Sequence, residues 1–225
     1  MRDKIDGMPA ALSPTPRSTI RKSARARSER AALYEVLDTA LIAHLGVIVD
    51  GAPLVLPTTF GRIGDTVYVH GSTGALSLRA GTREPVCLTV TLLDGLVYAR
   101  SVFHHSANYR SAVLHAQARL VTDPQEKLDS LQAVVEHLTP GSWAHARQPT
   151  AKELAATTVL AIDTAEASVK VRSGPPVDEQ SDLDAATAWA GVLPLHQRWG
   201  PPQPCALLPE GSVVPAHVTE RPSPG

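Results

Sequence analysis

Several residue types that mark particular protein classes are scarce in this sequence of 225 residues. Its two cysteines, Cys87 and Cys205, lie far apart and form no CxxC pair, so neither a disulfide framework nor a zinc site is indicated. No run approaches about 18 consecutive apolar residues, which argues against a membrane-spanning helix. Aromatic residues make up only 4% of the chain, so the core must consist of Val, Leu, Ile and Ala.

The charge of the chain is nearly balanced, with a formal net charge of −1. Such a balance provides no general attraction to nucleic acids or to anionic membranes. Basic residues between Arg17 and Arg30 could form a nucleic-acid-binding arm. However, acidic residues follow soon and no aromatic residues are interleaved for base stacking, so a solvated arm is the preferred interpretation. The N-terminus lacks the apolar stretch of a secretory signal, and two free thiols suit a reducing compartment, so the expected location is cytoplasmic.

Composition divides the chain into three parts. Residues 1–22 contain Pro9, Pro14 and Pro16 among basic and small residues, which predicts a flexible basic arm. Residues 23–175 carry the regular apolar patterns of a globular domain. Residues 176–225 combine many prolines with an acidic cluster, which predicts an extended C-terminal tail.

Dipeptides that favour tight turns separate many of the apolar runs in the central part. Asp50-Gly51, Gly64-Asp65 and Asp94-Gly95 are such turns, because the hairpin turn types need residues that tolerate a positive φ. The predicted strands cover residues 44–49, 53–60, 66–70, 86–93, 96–102, 109–122 and 158–171. Helices are predicted at 24–39, after Asp123-Pro124, and at 150–156, where Thr150 and Glu153 can form a capping box.

The predicted fold class is mainly β with peripheral α-helices. Six to seven antiparallel strands, mostly linked by hairpins in a Greek-key-like order, favour a closed or partly closed barrel, since closure removes exposed sheet edges. The sequence has no G-x-S-x-G elbow, no Walker loop and no G-x-G-x-x-G fingerprint, so esterase chemistry, ATP binding and Rossmann-type NAD binding lack support.

Two polar segments could carry chemistry. Residues 69–74, Val-His-Gly-Ser-Thr-Gly, end a strand before a helical turn, which is typical either of a phosphate-binding loop or of an ordinary loop. Residues 104–111 contain the cluster Asn108-Tyr109-Arg110, which could cap a strand or contact a ligand. The adjacent His104 and His105 would point to opposite faces of a strand, so no metal site is predicted.

These segments together resemble a known family. Residues 69–72, the strand at 86–91, and the stretch His105-Ser-Ala-Asn-Tyr-Arg-Ser111 look like the flavin-nucleotide-binding relatives of pyridoxamine 5′-phosphate oxidase, which include nitroimidazole-reductase-like proteins. The resemblance spans roughly residues 28–194, and its most specific part is the stretch at 105–111.

The resemblance implies an FMN-binding split β-barrel with the flavin at a homodimer interface. By that match, the cofactor-binding residues are Thr58, Thr59, His70, Gly71, Ser72, Thr73, Arg79, Asn108 and Arg110. Many relatives carry Arg or Lys a few residues after the His-Gly pair, whereas this chain has no cation there before Arg79. Either Arg79 turns inward, or the site favours another flavin such as a deazaflavin.

The function implied is that of a flavin-dependent oxidoreductase acting on a small molecule. His70 is the candidate catalytic residue, because an imidazole with an ordinary pKa near ~6.5 suits proton delivery. Alternatively, His70 only satisfies the strand end. At the level of function, a non-catalytic flavin carrier or sensor is the alternative, and a nucleic-acid-associated protein that uses the basic arm is the third and least favoured hypothesis.

Overall fold

A computed structural model describes residues 11–185 and 188–224 of the chain. The strands in this part are β1 (Ala26–Arg27), β2 (Ala43–Val49), β3 (Ala52–Thr58), β4 (Phe60–Ile63), β5 (Thr66–Ser72), β6 (Val86–Tyr98), β7 (Ser106–Ala116), β8 (Arg119–Leu120), β9 (Thr157–Asp163), β10 (Glu166–Arg172) and β11 (Gly191–Pro194). The α-helices are α1 (Arg30–Thr39), α2 (Leu76–Gly81), α3 (Pro124–Leu138), α4 (Ser142–His145), α5 (Ala151–Ala155), α6 (Gln180–Ala185) and α7 (Ala216–Thr219).

The strands form two antiparallel sheets that share one core. The larger sheet has the order β1-β10-β7-β6-β2-β3, with β11 added along β6, and the smaller sheet has the order β4-β5-β9-β8. Aliphatic side chains from both sheets and from α1 meet in a single buried cluster, which includes Leu45, Val69, Leu88 and Leu160. The predicted class, mainly β and antiparallel with peripheral helices, is therefore confirmed.

The predicted hairpins at residues 50–51 and 64–65 are present. Asp50 and Gly51 have φ values of 50° and 77° between β2 and β3, and Gly64 has a φ of 57° between β4 and β5. The turns were predicted because Asp and Gly tolerate positive φ values, and the structure has such values at these positions. The capping box at α5 also forms, with Thr150 and Glu153 each bonded to the other's backbone N–H.

The predicted hairpin at Asp94-Gly95 is wrong. β6 continues through these residues, and both of its halves pair with β7, with a register shift between Leu93 and Gly95. This is a β-bulge, in which an extra residue enters one strand without reversing it. The glycine is needed because β11 passes close by: a Cβ on Gly95 would lie 2.7 Å from the carbonyl oxygen of Leu193.

The predicted single strand at residues 158–171 is in fact two strands in different sheets. β9 belongs to the smaller sheet and β10 to the larger one, and Thr164 is fully buried where the chain crosses between them. The Thr164 hydroxyl donates to the carbonyl oxygen of Asp65 at 3.0 Å, and Arg30 donates to the carbonyl oxygen of Thr164 at 3.1 Å. These bonds satisfy the buried polar groups at the crossing.

The two ends of the chain pack against the domain where they are described. Leu12 is buried, and Arg17 forms an ion pair with Glu166 of β10 at 2.5 Å, while residues 1–10, including Pro9, lie outside the described residues. In the C-terminal part, β11 extends the larger sheet. α1 begins at Arg30 instead of the predicted residue 24, since residues 26–27 pair with β10 as β1.

No helix in the described ranges combines the length and the apolar character that crossing a bilayer requires. The cytoplasmic location stays a prediction, as do the flexibility of the N-terminal arm and the boundaries of the three segments.

Gly61 of β4 offers a test of how tightly α3 packs on the smaller sheet. A Cβ at Gly61 would lie 2.5 Å from the backbone of Ala133 and Val134, so Gly61→Ala must displace the helix. We expect a loss of about 1–3 kcal/mol in the free energy of unfolding, which urea titration would measure. Gly200→Ala is the control, because no atom lies within 4 Å of its added Cβ, and it should change stability by less than about 0.5 kcal/mol. Equal effects of the two substitutions would contradict this packing.

Candidate functional site

The turn that follows β5 was interpreted from the sequence either as a phosphate-binding loop or as an ordinary loop, and the family resemblance placed it at the cofactor. Its backbone N–H groups are already bonded within the chain: Thr73 donates to the carbonyl oxygen of Ala156 at 3.0 Å, and Ala75 to that of Ser72 at 2.9 Å. The N–H of Gly74 donates to Oγ of Ser72 at 3.2 Å. What this turn offers to a ligand is therefore mainly the exposed side chains of Ser72 and Thr73.

His70 and Gly71 lie on opposite faces of β5, as successive strand residues must. Gly71 faces α2, since a Cβ at this position would lie 2.9 Å from Cδ1 of Leu78. The imidazole of His70 lines a cavity on the other face, together with side chains of α3. The predicted group 70–73 is thus divided between the two faces of the smaller sheet.

The cavity next to His70 has a volume of about 360 Å³ and is lined mainly by apolar side chains of α3 and of the segment from α4 to α5, including Trp143. Nδ1 of His70 is buried and has no hydrogen-bond partner among the described residues. Burial lowers the pKa of the His70 imidazole below its ordinary value, so the neutral ring is favoured.

Arg147 and Glu153 form an ion pair that also lines this cavity. Arg147 donates to the two carboxylate oxygens of Glu153 at 2.8 and 3.0 Å, and the N–H of Thr150 donates to the same carboxylate at 2.7 Å. The Arg147 guanidinium, followed by the bonds from Thr150, lowers the pKa of Glu153 to about 2. The Glu153 carboxylate therefore has two roles, since it caps α5 and also holds the Arg147 guanidinium at the cavity.

Arg79 projects from α2 into a cleft of about 520 Å³ between this helix and the β2–β3 hairpin. Arg83 and Glu84 line the same cleft, and the turn at Asp50 and Gly51 forms its opposite wall. Both arginine side chains are exposed. Residues 74–77 contain no cation, and the nearest arginines along the chain, Arg79 and Arg83, lie in this cleft.

Thr58 and Thr59 lie where the chain passes from β3 in the larger sheet to β4 in the smaller one. Both are half-buried, and the Thr58 hydroxyl donates to the carbonyl oxygen of Thr59 at 3.0 Å. Because Phe60 pairs with Val69, Thr59 lies beside the same end of β5 as His70. The structure thus brings Thr59 close to the 70–73 segment along the sheet.

Asn108 and Arg110 of β7 are bonded to other parts of the chain. The buried amide of Asn108 donates to the carbonyl oxygen of Gly174 at 3.2 Å and accepts a hydrogen bond from Arg172. Arg110 pairs with Asp94 at 2.9 Å. The structure therefore shows the strand-capping network that was one of the two interpretations of this cluster, and a cofactor-binding role for the two residues stays a prediction.

Other polar groups near the predicted site also have internal roles. Nδ1 of His105 accepts a hydrogen bond from the N–H of Ala99 at 3.1 Å.

Across residues 11–185 and 188–224, no three His, Cys, Asp or Glu side chains are grouped so that they could hold a metal ion.

The cavity beside His70 is the feature that sequence reasoning missed. A helix was predicted after Asp123-Pro124, but Trp143 and Arg147 were not singled out. No motif marks these residues, because the cavity joins β5 to helices that begin more than fifty positions later in the sequence. The one available signal was His70 itself, at the end of a buried strand.

Comparison with known proteins identifies the family. The family model described as pyridoxamine 5′-phosphate oxidase matches residues 29–171, which is more than half of the chain. The chain belongs to this family, as the resemblance indicated. No curated protein matches the chain.

Two solved structures are similar over most of the chain. The flavocytochrome Anf3 from Azotobacter vinelandii is 38% identical, with 93% of this chain and 98% of that chain covered and a TM-score of 0.87. A protein from Mycobacterium smegmatis described as FAD and heme binding is also 38% identical, with 88% and 98% covered and a TM-score of 0.84. A candidate 5-nitroimidazole antibiotic resistance protein from Bacteroides thetaiotaomicron shares the fold at 20% identity, with 65% and 86% covered and a TM-score of 0.55.

The ion pair at the cavity should make stability depend on acid pH. The carboxylate of Glu153 has a lowered pKa in the folded chain, so the stabilisation is complete above the unfolded value near 4.5 and is lost as pH falls toward 2. We expect Glu153→Gln to lower the melting temperature at pH 6 and to show a smaller further decrease between pH 6 and pH 3 than the wild type. Glu210→Gln, in the exposed C-terminal segment, is the control. Equal pH dependence of Glu153→Gln and wild type would contradict the interpretation.

Proposed function

We propose that the protein is a flavin-dependent oxidoreductase and that its flavin is FAD. The observation that carries this proposal is the 38% identity, over 88% of the chain, to the protein described as FAD and heme binding. The flavocytochrome at the same identity supports it independently. Similarity at this level extends over nearly the whole fold, including the segments that surround β5.

The two arginines beside α2 can bind the diphosphate that distinguishes FAD from FMN. The family resemblance alone predicts FMN, which has one phosphate group. The cleft beside α2 contains two guanidinium groups, Arg79 and Arg83, together with two carboxylates, Asp50 and Glu84. A diphosphate can engage both arginines through charge-assisted hydrogen bonds, each worth about 1.5–3 kcal/mol. The presence of two arginines in one cleft supports a dinucleotide whose diphosphate lies beside α2.

The chain's own groups would position such a cofactor. The hydroxyls of Ser72 and Thr73 are exposed next to α2, and Thr58 and Thr59 lie at the neighbouring strand end. A bound flavin supplies hydride or single-electron transfer, while the protein provides orientation and hydrogen bonds. In this arrangement Ser72 and Thr73 hold the phosphate side of the cofactor, and Thr58 and Thr59 contact its ring or ribityl chain.

The identity of the flavin can be tested directly. We expect the purified protein to be yellow and to release FAD on denaturation, with chromatography separating FAD from FMN and from a deazaflavin. The double variant Arg79→Ala/Arg83→Ala should bind FAD at least tenfold more weakly, since it loses charge-assisted bonds of about 1.5–3 kcal/mol each. Arg21→Ala, an exposed arginine far along the chain from α2, is the matched control.

Each result of this experiment has a defined meaning. FMN as the only released flavin would overturn the assignment of FAD, and a colourless protein that takes up no flavin would overturn flavin binding. Bound flavin that neither NADH nor NADPH reduces would favour the carrier or sensor alternative over the oxidoreductase.

The proposed active form is a homodimer with the flavin at the interface. Val102 and Phe103 support it, because each is 85% exposed in the ordered turn that follows β6. Leu93 and Leu96 of β6 are also exposed, at 43% and 44%. Exposed apolar residues in ordered segments of this kind mark association surfaces.

Phe103→Asp should separate the subunits, because a charge in an apolar interface has no partner there. We expect a dimer for the wild type and a shift toward monomer for the variant, measured by light scattering after size-exclusion chromatography, together with a loss of bound flavin. Leu207→Asp is the control, since Leu207 is 91% exposed in the C-terminal segment. A variant that remains dimeric and retains its flavin would show that this surface is not the interface.

A heme is the second proposed cofactor. Both relatives at 38% identity support it, one as a flavocytochrome and the other as an FAD and heme binding protein. The chain itself has a fitting feature, since a cavity with apolar walls contains an imidazole whose buried nitrogen has no partner among the described residues. A bound heme supplies one-electron transfer.

A further inference from the structure

The cavity beside His70 has the chemical character that a porphyrin requires. A porphyrin is a flat apolar ring that carries carboxylates at one edge, so its site needs apolar walls with polar groups at the rim. The apolar lining comes from Leu131, Val134, Val135, Trp143, Ala146 and Pro149. Its polar side chains include Arg147, a cation paired with Glu153 at the rim, and its volume of about 360 Å³ lies in the range of small-molecule sites.

His70 has no structural role that would explain its position. Its ring lines the cavity, and Nδ1 finds no hydrogen-bond partner in the described part of the chain. A buried polar atom left without a partner costs about 1–3 kcal/mol, so such atoms are rare unless they serve a ligand or a reaction. The unpartnered Nδ1 therefore favours a ligand-binding role for His70 over the alternative in which it only satisfies the strand end.

The backbone at His70 also suits a metal ligand. Position on a strand held between β4 and β9 fixes the ring better than a loop would.

We propose that His70 is the axial ligand of a heme held in the cavity between β5 and the segment from α3 to α5. The inference rests on the heme binding proposed above and assigns it a location and a ligand. The heme would then lie on the face of β5 that carries His70, and the flavin would lie on the side of α2, which Gly71 faces.

Other histidines are less suitable as ligands. Nε2 of His137 is hydrogen-bonded to the carbonyl oxygen of Ala40 at 2.7 Å. His145 and His217 stack on each other with ring centroids 5.0 Å apart, and His217 lines a separate cavity of about 220 Å³ beside Trp199. His217 is the strongest competitor and therefore belongs in the test.

The test uses the full chain. It is expressed in the presence of δ-aminolevulinic acid, and in a second experiment the purified protein is titrated with hemin. The Soret absorbance measures bound heme in both. We expect His70→Gly to bind hemin at least tenfold more weakly, because even the loss of a group that orients a ligand costs about 10–100-fold in metal affinity. Added imidazole should restore the Soret band of this variant. His70→Met should retain heme with a shifted spectrum, since the axial ligand changes. Flavin content and dimer mass report whether each variant is folded.

The controls are His44→Gly, an exposed strand histidine, and His217→Gly, and both should retain the wild-type Soret band and affinity. A wild-type band in both His70→Gly and His70→Met, or loss of the band in His217→Gly alone, would overturn the assignment of His70 while leaving heme binding intact. A wild type that binds FAD but takes up no hemin would overturn the heme part of the proposed function and this inference with it. A wild type with heme but no flavin would overturn only the flavin part.

Discussion

The alternation of side chains along β5 is the constraint on which both proposed cofactor sites depend. Successive residues of a strand must face opposite sides of the sheet, so His70 and Gly71 cannot serve the same ligand. Gly71 allows α2 to approach closely, while His70 meets the apolar side chains of α3. A single strand end therefore positions two chemically different surfaces, one that faces α2 near its arginines and the other with an imidazole in apolar surroundings.

The crossing from β9 to β10 holds these surfaces in place. Because β9 lies beside β5 in the smaller sheet and β10 lies beside β7 in the larger one, a few residues connect the two sheets. Thr164 is completely buried at this crossing, where its hydrogen bonds reach the turn at Asp65 and the first helix. The relative position of the sheets is thus fixed by satisfied polar groups as well as by the shared aliphatic core.

Sequence reasoning identified the features that depend on short segments. The turns at residues 50–51 and 64–65, the capping box at Thr150 and the mainly β class all follow from local backbone preferences and side-chain periodicity. Asp94-Gly95 was misread because a dipeptide that suits a hairpin also suits a bulge, and the strand that requires the glycine, β11, lies about a hundred residues later. Similarly, the apolar alternation continues from β9 into β10, so no local pattern marks the change of sheet. The cavity beside His70 could not be predicted, since its walls are brought together only by the packing of α3 onto the smaller sheet.

β11 has a consequence for the integrity of the fold. β11 pairs with residues 95–98 of β6, while β2 pairs only with residues 87–89 of that strand. It therefore covers backbone groups beyond the end of β2 that would otherwise be unpaired. An uncovered strand edge is a template for pairing with strands of other molecules. A proteolytic cut before residue 191 would remove β11 and leave this part of the β6 edge open to such pairing.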